Sequence, residues 1–434
     1  MRILSLTAGA ASMYCGTCLR DNALARRLIA QGHTVLLVPL YTPTLTDEEN
    51  VSQPRVFFGG VSVYLEQHLA LFRHLPPWID RLWDSPSLLR AVSRRSIPVD
   101  PRALGEITIS VLEGPDGPLR KEVDKLLGWL RREPSFDVID LPYSLLIGLA
   151  RPLKQALQAP VCCTLQGEDL FLNGLMEPYR TRALQLIRSQ VPAVDRFIAV
   201  SDYYRSFMSR FLDIPADRID VVRLGINLEG FERAPQRADG IFRIGYLARV
   251  APEKGLHLLA EAFIGLQQRM AGQVRLEAAG YLAPEHRRYL RQVEDKLAAA
   301  GLTQAFRYHG ILDRRAKIAF LRTLDVLSVP AAYDEPKGLS VLEAMGCGVP
   351  VVVPSRGSLP EIMERTGGGL LVRPDDPADL AAAFQRLYED SALHRRLADR
   401  AWDGVREHYD IHRMALETLV AYERARAAKP VEVL

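Results

Sequence analysis

The chain has 434 residues, of which 48% are hydrophobic and 25% are charged. A single compact core rarely organises so long a chain, so we expect two domains of roughly 200 residues each. The 55 Lys and Arg residues nearly balance the 52 Asp and Glu residues, which leaves a formal net charge of +3. This balance argues against a dedicated nucleic-acid-binding protein, which would carry a concentrated basic face. The composition also differs from that of disordered or fibrous chains.

Cysteine content and hydropathy predict a cytoplasmic protein. Five cysteines in a chain of this length do not form a disulfide framework, so a reducing compartment is expected. No apolar run reaches the ~18 residues that are needed to cross a bilayer. The N-terminal residues Met1–Leu6 predict a strand, since they lack the longer apolar stretch of a signal peptide.

Short apolar runs alternate with longer helical patterns along the chain. In the first half, a helical pattern covers Leu19–Gln31, and the expected strands are Ile3–Leu6, Thr34–Pro39, Val138–Leu141, Val161–Leu165, Phe197–Val200 and Val221–Arg223. In the second half they are Phe242–Leu247, Val274–Ala279, Arg307–Tyr308, Val326–Val329, Val351–Val353 and Leu370–Val372. This alternation predicts an α/β protein with parallel sheets and helices on both faces.

A polar stretch, Glu232–Gly240, interrupts the rhythm and predicts a linker. We therefore expect two doubly wound domains, at residues 1–236 and 241–410. A long helical pattern over Ala401–Ala427 predicts that residues 411–434 form a C-terminal helix packing across both domains.

The first domain is expected to contain an insertion at about residues 69–125. Its segment Leu69–Arg102 contains Trp78 and Trp83, and five arginines but only two acids lie between Arg81 and Arg102. Such a segment permits contact with an acceptor or with a membrane surface. A helical insertion that packs its Leu and Trp side chains on the core is the favoured alternative.

The segment from Pro330 to Pro350 is the most informative part of the chain. A buried strand is expected to end near Pro330, and a helix is expected to begin near Gly338. A helix start offers backbone N–H groups and a positive dipole end to an anion, and glycine lets a phosphate approach closely. The N–H groups concerned are those of Gly338, Leu339 and Ser340.

Two carboxylates flank this expected anion site. Glu343 lies about one and a half turns into the helix and leans back toward its start, where it would accept hydrogen bonds from a ribose. Glu335, in the preceding loop, would accept hydrogen bonds from sugar hydroxyls. This arrangement favours a nucleotide-diphosphate-sugar site, although ordinary helix capping accounts for the same pattern.

A second segment, from Ile244 to Leu256, carries Arg249 and Lys254 between a strand and a helix. Two cations that converge on a diphosphate would offset its charge and stabilise it as a leaving group. The alternative is two solvated cations near a turn.

These two segments resemble the glycosyltransferase family 4 pattern. Glu335 and Glu343 have the spacing of the E-x7-E motif, the following run through Val352 resembles the family's EAMACGTPVV run, and the segment around Arg249 and Lys254 resembles its GRLVPEKG element. The resemblance implies a GT-B fold, in which two Rossmann-like domains face an interdomain cleft. Lys337 departs from the family, which usually has Phe at this position.

The resemblance also implies further residue roles. Gly280 and Gly310 would line the donor base and sugar, and the amides of Gly16 and Thr17 would lie beside the donor phosphates. Cys15 replaces the first glycine of the family's N-terminal Gly-Gly loop. Gln166 and Asp169 would face the acceptor side, although many members have His at the position of Gln166, so no histidine is assigned as an acid or base.

The resulting hypothesis is a retaining glycosyltransferase with Glu335, Arg249 and Lys254 as its principal catalytic residues. The first domain would bind an acceptor (a glycan, a lipid or a small molecule) and the second a nucleotide-sugar donor, with no metal or other cofactor. The alternatives are an epimerase or a phosphorylase on the same fold, or a non-catalytic nucleotide-sugar-binding module. A Rossmann dehydrogenase is disfavoured, since no G-x-G-x-x-G follows the first strand. The basic insertion permits peripheral contact with the inner face of the membrane.

The pair Cys15-x-x-Cys18 has a separate interpretation. A strand, a loop, a CxxC motif and a helix follow the thioredoxin-like order, and a helix start lowers the pKa of a thiol. A redox domain would leave most of the chain unexplained, so a redox role is the less favoured reading. Cys162 and Cys163 are expected to be small strand residues rather than metal ligands.

Overall fold

The computed structural model describes residues 1–9, 14–58, 101–235, 239–270 and 274–428. These residues form two compact units, one made of Met1–Arg223 with Met414–Leu434 and the other of Leu224–Arg413. We call them unit 1 and unit 2. The segment Leu69–Arg102 falls almost entirely outside the described residues, so its two interpretations stay open. Every helix within the described ranges is too short or too polar to span a bilayer.

Unit 1 is built on a six-stranded parallel sheet with the strand order β2-β1-β3-β4-β5-β6. The strands are β1 (Arg2–Thr7), β2 (Thr34–Pro39), β3 (Val138–Leu141), β4 (Val161–Leu165), β5 (Arg196–Ala199) and β6 (Ile219–Val221). The α-helices up to β6 are α1 (Gly16–Ala30), α2 (Pro101–Glu113), α3 (Arg120–Leu130), α4 (Ala150–Leu157), α5 (Asp169–Gly174), α6 (Tyr179–Gln190) and α7 (Asp202–Leu212).

Unit 2 repeats this architecture with the strand order β12-β11-β10-β7-β8-β9, again all parallel. Its strands are β7 (Phe242–Leu247), β8 (Val274–Ala279), β9 (Phe306–Tyr308), β10 (Val326–Leu327), β11 (Val351–Pro354) and β12 (Gly369–Val372). Its α-helices are α8 (Leu256–Gln267), α9 (Arg287–Ala299), α10 (Arg314–Leu321), α11 (Leu339–Gly346), α12 (Leu359–Thr366), α13 (Pro377–Glu389) and α14 (Ser391–His408), and α15 (Ile411–Ala427) follows.

The central strands are largely apolar because helices cover both faces of each sheet. All residues of β3, β4 and β11 are buried. The run lengths therefore identified the strands correctly, and each expected strand has a counterpart. The largest displacement is at β6, which ends at Val221, where the expected strand began.

The boundary between the units lies earlier than the expected linker at Glu232–Gly240. Residues 224–234 already belong to unit 2. The Ala234 N–H donates to the Cys347 carbonyl over 2.8 Å, and a Cβ on Gly346 would lie 3.0 Å from the Phe231 ring. This packing accounts for the position of the boundary.

The helical pattern over Ala401–Ala427 is divided between two helices, because α14 ends at His408 and α15 begins at Ile411, where the C-terminal helix was expected to begin. The break exists because Ile226 takes over the backbone pairing there: its N–H donates to Tyr409 and its carbonyl accepts from Ile411. From Met414 onward the tail belongs to unit 1. There the Tyr422 hydroxyl donates to buried Asp140 over 2.9 Å.

Candidate functional site

The strand order of unit 2 predicts where a ligand binds. In an open α/β sheet, ligands bind beyond the carboxyl ends of the strands, at the point where the strand order reverses. In unit 2 that point lies between β7 and β10, which are neighbours in the sheet. The loop after β7 carries Arg249 and Lys254, and the loop after β10 carries Glu335. The two segments identified in the sequence therefore follow neighbouring strands and begin at the same edge of the sheet.

The two loops are in direct backbone contact. The Ala332 N–H donates to the Glu253 carbonyl over 2.8 Å. Gly255 has φ +75°, and a Cβ there would lie 1.8 Å from the Pro330 carbonyl oxygen. Only glycine satisfies both the left-handed backbone and this close approach. Gly255 therefore holds the loop of Lys254 against the loop of Glu335.

Lys254, Tyr333 and Glu335 form a three-membered polar cluster. Lys254 Nζ lies 2.7 Å from Glu335 Oε2 and donates to the Tyr333 hydroxyl, which donates in turn to Glu335 Oε2 over 2.5 Å. The side chains of Lys254 and Glu335 are only 15% and 14% exposed. Burial raises the pKa of Glu335, but the charge of Lys254, the hydrogen bonds from Lys254 and Tyr333, and the charge of Lys337 outweigh it and lower that pKa to about 2. Glu335 is therefore a carboxylate at neutral pH.

Glu335 itself lies over the start of α11. The N–H groups of Lys337 and Gly338 point at Glu335 Oε1, each at 3.4 Å. The Glu335 carbonyl accepts hydrogen bonds from the N–H and hydroxyl of Ser358, and a Cβ on Gly357 would lie 2.5 Å from it. The Gly338 amide, which was expected to face an external anion, is thus directed at Glu335. The predicted anion contacts of Leu339 and Ser340, the first two residues of α11, stay predictions.

Glu343 is buried in α11 and is paired with a residue that the sequence did not indicate. Its Oε1 lies 2.5 Å from Nζ of Lys317 in α10, and the two side chains are each 10% exposed. Lys317 fixes the orientation of this carboxylate and compensates its charge. The predicted contact of Glu343 with a ribose remains a prediction.

Arg249 does not join the lysine cluster. Its guanidinium lies 3.2 Å from Glu253, and its side chain is 45% exposed. Its carbonyl accepts a hydrogen bond from the buried Tyr246 hydroxyl over 2.8 Å. The structure therefore fixes the backbone at Arg249 and leaves the guanidinium near the surface.

Gly280 and Gly310 lie after β8 and β9, at the same edge of the sheet. The Gly280 N–H donates to the Gly310 carbonyl over 2.8 Å. Gly280 has φ +141°, and a Cβ there would lie 1.8 Å from the Ala248 carbonyl. Gly310 has φ +74° with open space around its Cβ position. Both glycines therefore follow strands at the carboxyl edge of the unit 2 sheet, and their contacts with a donor base and sugar stay predictions.

The predicted acceptor residues belong to unit 1, where a buried carboxylate organises the loop after β4. Glu168 accepts hydrogen bonds from the N–H and hydroxyl of Ser144 and from the N–H groups of Gln166 and Gly167, at 2.8–3.0 Å. Gln166 is 3% exposed, and its Nε2 donates to the Pro142 carbonyl over 2.7 Å. Gln166 thus ties together the loops after β3 and β4.

Asp169 begins α5 and accepts a hydrogen bond from the Tyr204 hydroxyl over 2.7 Å. Gly16 and Thr17 are the first two residues of α1. All four predicted residues therefore follow strands of unit 1, and their contacts with donor or acceptor stay predictions. The described residues contain no group of three or more His, Cys, Asp or Glu side chains with metal-binding geometry.

Two family models match consecutive parts of the chain. Residues 231–403 match glycosyl transferases group 1, and residues 118–229 match glycosyltransferase family 4. Together the matches cover well over half of the chain. The chain belongs to the family-4-like glycosyltransferases.

Curated proteins agree with this family-4-like assignment. The chain is 30% identical to a phosphatidyl-myo-inositol mannosyltransferase of Mycobacterium leprae over 52% of its own length and 58% of that protein. It is 27% identical to a D-inositol 3-phosphate glycosyltransferase of Salinispora arenicola over 81% of this chain and 83% of that one. The chain spans a smaller part of other relatives. It covers 60% of the length of an uncharacterized glycosyltransferase of Methanocaldococcus jannaschii and 49% of the length of a D-inositol 3-phosphate glycosyltransferase of Streptomyces bingchenggensis.

Solved structures share the whole GT-B fold with this family-4-like chain. A sucrose-phosphate synthase of Thermosynechococcus elongatus has a TM-score of 0.73 at 21% identity, over 99% of this chain and 100% of that one. Anabaena HepE, solved with UDP and glucose, has a TM-score of 0.68 at 17% identity, over 98% of this chain and 99% of that one. At these identities the likeness establishes the fold.

Proposed function

We propose that the protein is a retaining glycosyltransferase that moves a sugar from a nucleotide-diphosphate sugar, bound by unit 2, to an acceptor bound by unit 1. The observation that carries the proposal is the contact between Lys254 and Glu335 where the strand order of unit 2 reverses. It brings a partly buried cation and a partly buried carboxylate to the edge of the sheet where ligands bind. In a site for a sugar diphosphate, the cation would bind the phosphates and the carboxylate would accept hydrogen bonds from the sugar hydroxyls.

Lys254 is suited to bind the diphosphate. A lysine ammonium has three N–H donors, and Tyr333 and Glu335 accept from two of them. The third is then available to a phosphate oxygen, and the surrounding protein strengthens this charge-assisted hydrogen bond. Arg249, in the same loop, supplies a second cation at the surface. Together they would stabilise the departing nucleotide diphosphate.

Glu335 would act as a hydrogen-bond acceptor rather than as a proton donor. Its pKa of about 2 keeps it ionised at neutral pH. An ionised carboxylate accepts hydrogen bonds from sugar hydroxyls and also stabilises positive charge that develops on the sugar ring. In the same-face mechanism that the family resemblance implies, the departing phosphate takes the acceptor proton, so no protein nucleophile is assigned. Glu343, oriented by Lys317, would accept from the ribose.

The acceptor is a glycan, a lipid or a small molecule. Several of the similar proteins are named for inositol phosphate or phosphatidylinositol substrates. Polyhydroxylated ring compounds and their phosphates are therefore the first acceptors to test. A cytoplasmic location, with peripheral contact to a membrane, remains part of the proposal.

Product analysis with sugar-labelled UDP-, GDP- and ADP-sugars tests this function. We expect label to join a foreign acceptor with the anomeric configuration of the donor, in the presence of EDTA as well as in its absence. Label in an epimerised nucleotide sugar or in a sugar 1-phosphate would instead indicate an epimerase or a phosphorylase. Donor binding without turnover across the acceptor panel would indicate a binding module.

Lys254→Met with Lys296→Met as its control connects the activity to the site. Loss of one such charged donor is expected to lower turnover by roughly 10²–10³-fold. Lys296 is also ion-paired, with Glu261, but it is 48% exposed and lies in the last turn of α9, at the opposite edge of the sheet. Equal turnover in the two variants would contradict the assigned role of Lys254.

A further inference from the structure

Two cysteines occupy paired positions at the start of α1. Cys15 is the residue before the first helical residue, with an extended backbone at φ −92° and ψ 125°, and Cys18 is the third residue of the helix. These are the two positions of a capping box, in which each side chain bonds to the backbone N–H of the other residue. The side chain of Cys15 makes no capping hydrogen bond. The Cys18 thiol instead hydrogen-bonds to Cys15.

The two thiols differ in their access to solvent. Cys15 is partly exposed, whereas Cys18 is 0% exposed and lies 3.9 Å from the Thr7 hydroxyl. The pKa of Cys18 is raised by its hydrogen bond to Cys15, by burial and by the charges of Cys15 and Asp21. Cys15 is therefore the sulfur that an external reagent meets first, while Cys18 is buried beside it.

We propose that Cys15 and Cys18 form a reversible intramolecular disulfide by exchange with a small-molecule disulfide such as oxidised glutathione. The Cys15 thiolate attacks one glutathione sulfur, the S–S bond breaks, and one glutathione leaves as a thiolate. The Cys18 sulfur then attacks Cys15 and displaces the second glutathione, whose departing thiolate takes up the Cys18 proton. The two cysteines are oxidised and the glutathione disulfide is reduced to two thiols.

The other cysteines provide an internal comparison. Cys162, Cys163 and Cys347 are all 0% exposed, and burial raises the pKa of each. None of them has a partly exposed cysteine three residues away, as Cys18 has in Cys15, and a thiol buried without such a neighbour is inert to exchange. The disulfide would close a small ring around Gly16 and Thr17 and fix the first turn of α1. The inference does not depend on the proposed glycosyl transfer.

Peptide mapping of the full-length protein tests the proposal. The protein is equilibrated in glutathione buffers from fully reduced to fully oxidised, alkylated under denaturing conditions and digested with trypsin. Cleavage after Arg2 and Arg20 gives one peptide that contains Cys15 and Cys18 and no other cysteine. We expect this peptide to change from doubly alkylated to internally disulfide-bonded, while Cys162, Cys163 and Cys347 remain alkylated throughout.

Two variants distinguish the order of the steps. Cys18→Ser is expected to accumulate a glutathione adduct on Cys15, and Cys15→Ser is expected to leave Cys18 alkylated at every buffer ratio. The wild-type titration decides the proposal even if a variant fails to fold. A wild-type peptide that stays doubly alkylated in oxidised glutathione, or that stops at a glutathione adduct, would overturn it.

Discussion

Replacing Lys254 by methionine is expected to destabilise the protein through Glu335, and the loss should depend on pH. The Glu335 pKa falls from 4.5 to about 2 in the folded chain. At 1.36 kcal/mol per pKa unit, this shift corresponds to about 3 kcal/mol of stability at neutral pH. Because the folded-state pKa is the lower one, this stability is present above the unfolded pKa and is lost as pH falls toward the folded value. Lys254 is the first cause that lowers this pKa.

Without Lys254, only the Tyr333 hydrogen bond and the charge of Lys337 would oppose the effect of burial, so the pKa of Glu335 should rise. The variant should therefore lose on the order of 3 kcal/mol at pH 7. At lower pH the Lys254→Met variant should regain part of this lost stability, because Glu335 then takes up a proton.

Urea unfolding of the wild type, Lys254→Met and Lys296→Met between about pH 7 and pH 4.5 measures this effect. The exposed pair of Lys296 and Glu261 should contribute below about 1 kcal/mol, with little pH dependence. In a double-mutant cycle, Glu335→Gln should remove much of the cost of Lys254→Met. A loss from Lys254→Met that equals that from Lys296→Met, or that stays constant with pH, would refute the reasoning.

The remaining predictions concern the backbone of the site and the tail. Gly255→Ala should be much more destabilising than Gly301→Ala, because both residues have φ near +75° but only a Cβ at Gly255 would meet a carbonyl oxygen, at 1.8 Å. The Gly301→Ala variant should lose about 1–2 kcal/mol of stability. Equal urea midpoints for the two variants would argue against the close contact between the two loops. Desolvation raises the Asp140 pKa from 3.8 to about 6. Because the folded-state pKa is raised, the wild type loses stability as pH rises toward 6. The free energy of unfolding of Asp140→Asn, relative to that of the wild type, should therefore increase between about pH 4 and pH 7. A difference that does not depend on pH would contradict the raised pKa. Tyr422→Phe removes a donor to Asp140 and should cost about 1–2 kcal/mol in urea unfolding; an unchanged midpoint would argue against docking of the tail on unit 1.

Strand positions and the main site segments were predictable from the sequence for a shared physical reason. Strands buried on both faces are largely apolar, so β4 and β11 are visible as nearly uninterrupted apolar runs. The residues that follow such runs lie at strand ends, where α/β proteins bind ligands. Arg249, Lys254 and Glu335 could therefore be placed before their contacts were known.

The partners of these residues were not predictable because they come from distant segments. Lys317 lies on a different helix from Glu343, and no spacing rule connects them. Tyr333 was visible in the loop, but its bridging position depends on how that loop folds. The inward-facing amide of Gln166 likewise depends on Pro142, which follows a different strand. The position of the boundary between the units also depends on tertiary packing, because residues 224–234 pack within unit 2.

The most direct test of the central claim is the thermal unfolding of the protein with UDP, GDP and ADP. A ligand at 100 times its Kd stabilises the folded state by about 2.7 kcal/mol. For a domain of this size, that corresponds to a rise in Tm of several degrees, at about 2–4 °C per kcal/mol. We predict that one nucleotide diphosphate raises the Tm of the wild type and of Lys296→Met but leaves that of Lys254→Met nearly unchanged. If no nucleotide shifts the Tm, or if Lys254→Met shifts as far as the wild type, Lys254 does not bind a donor diphosphate.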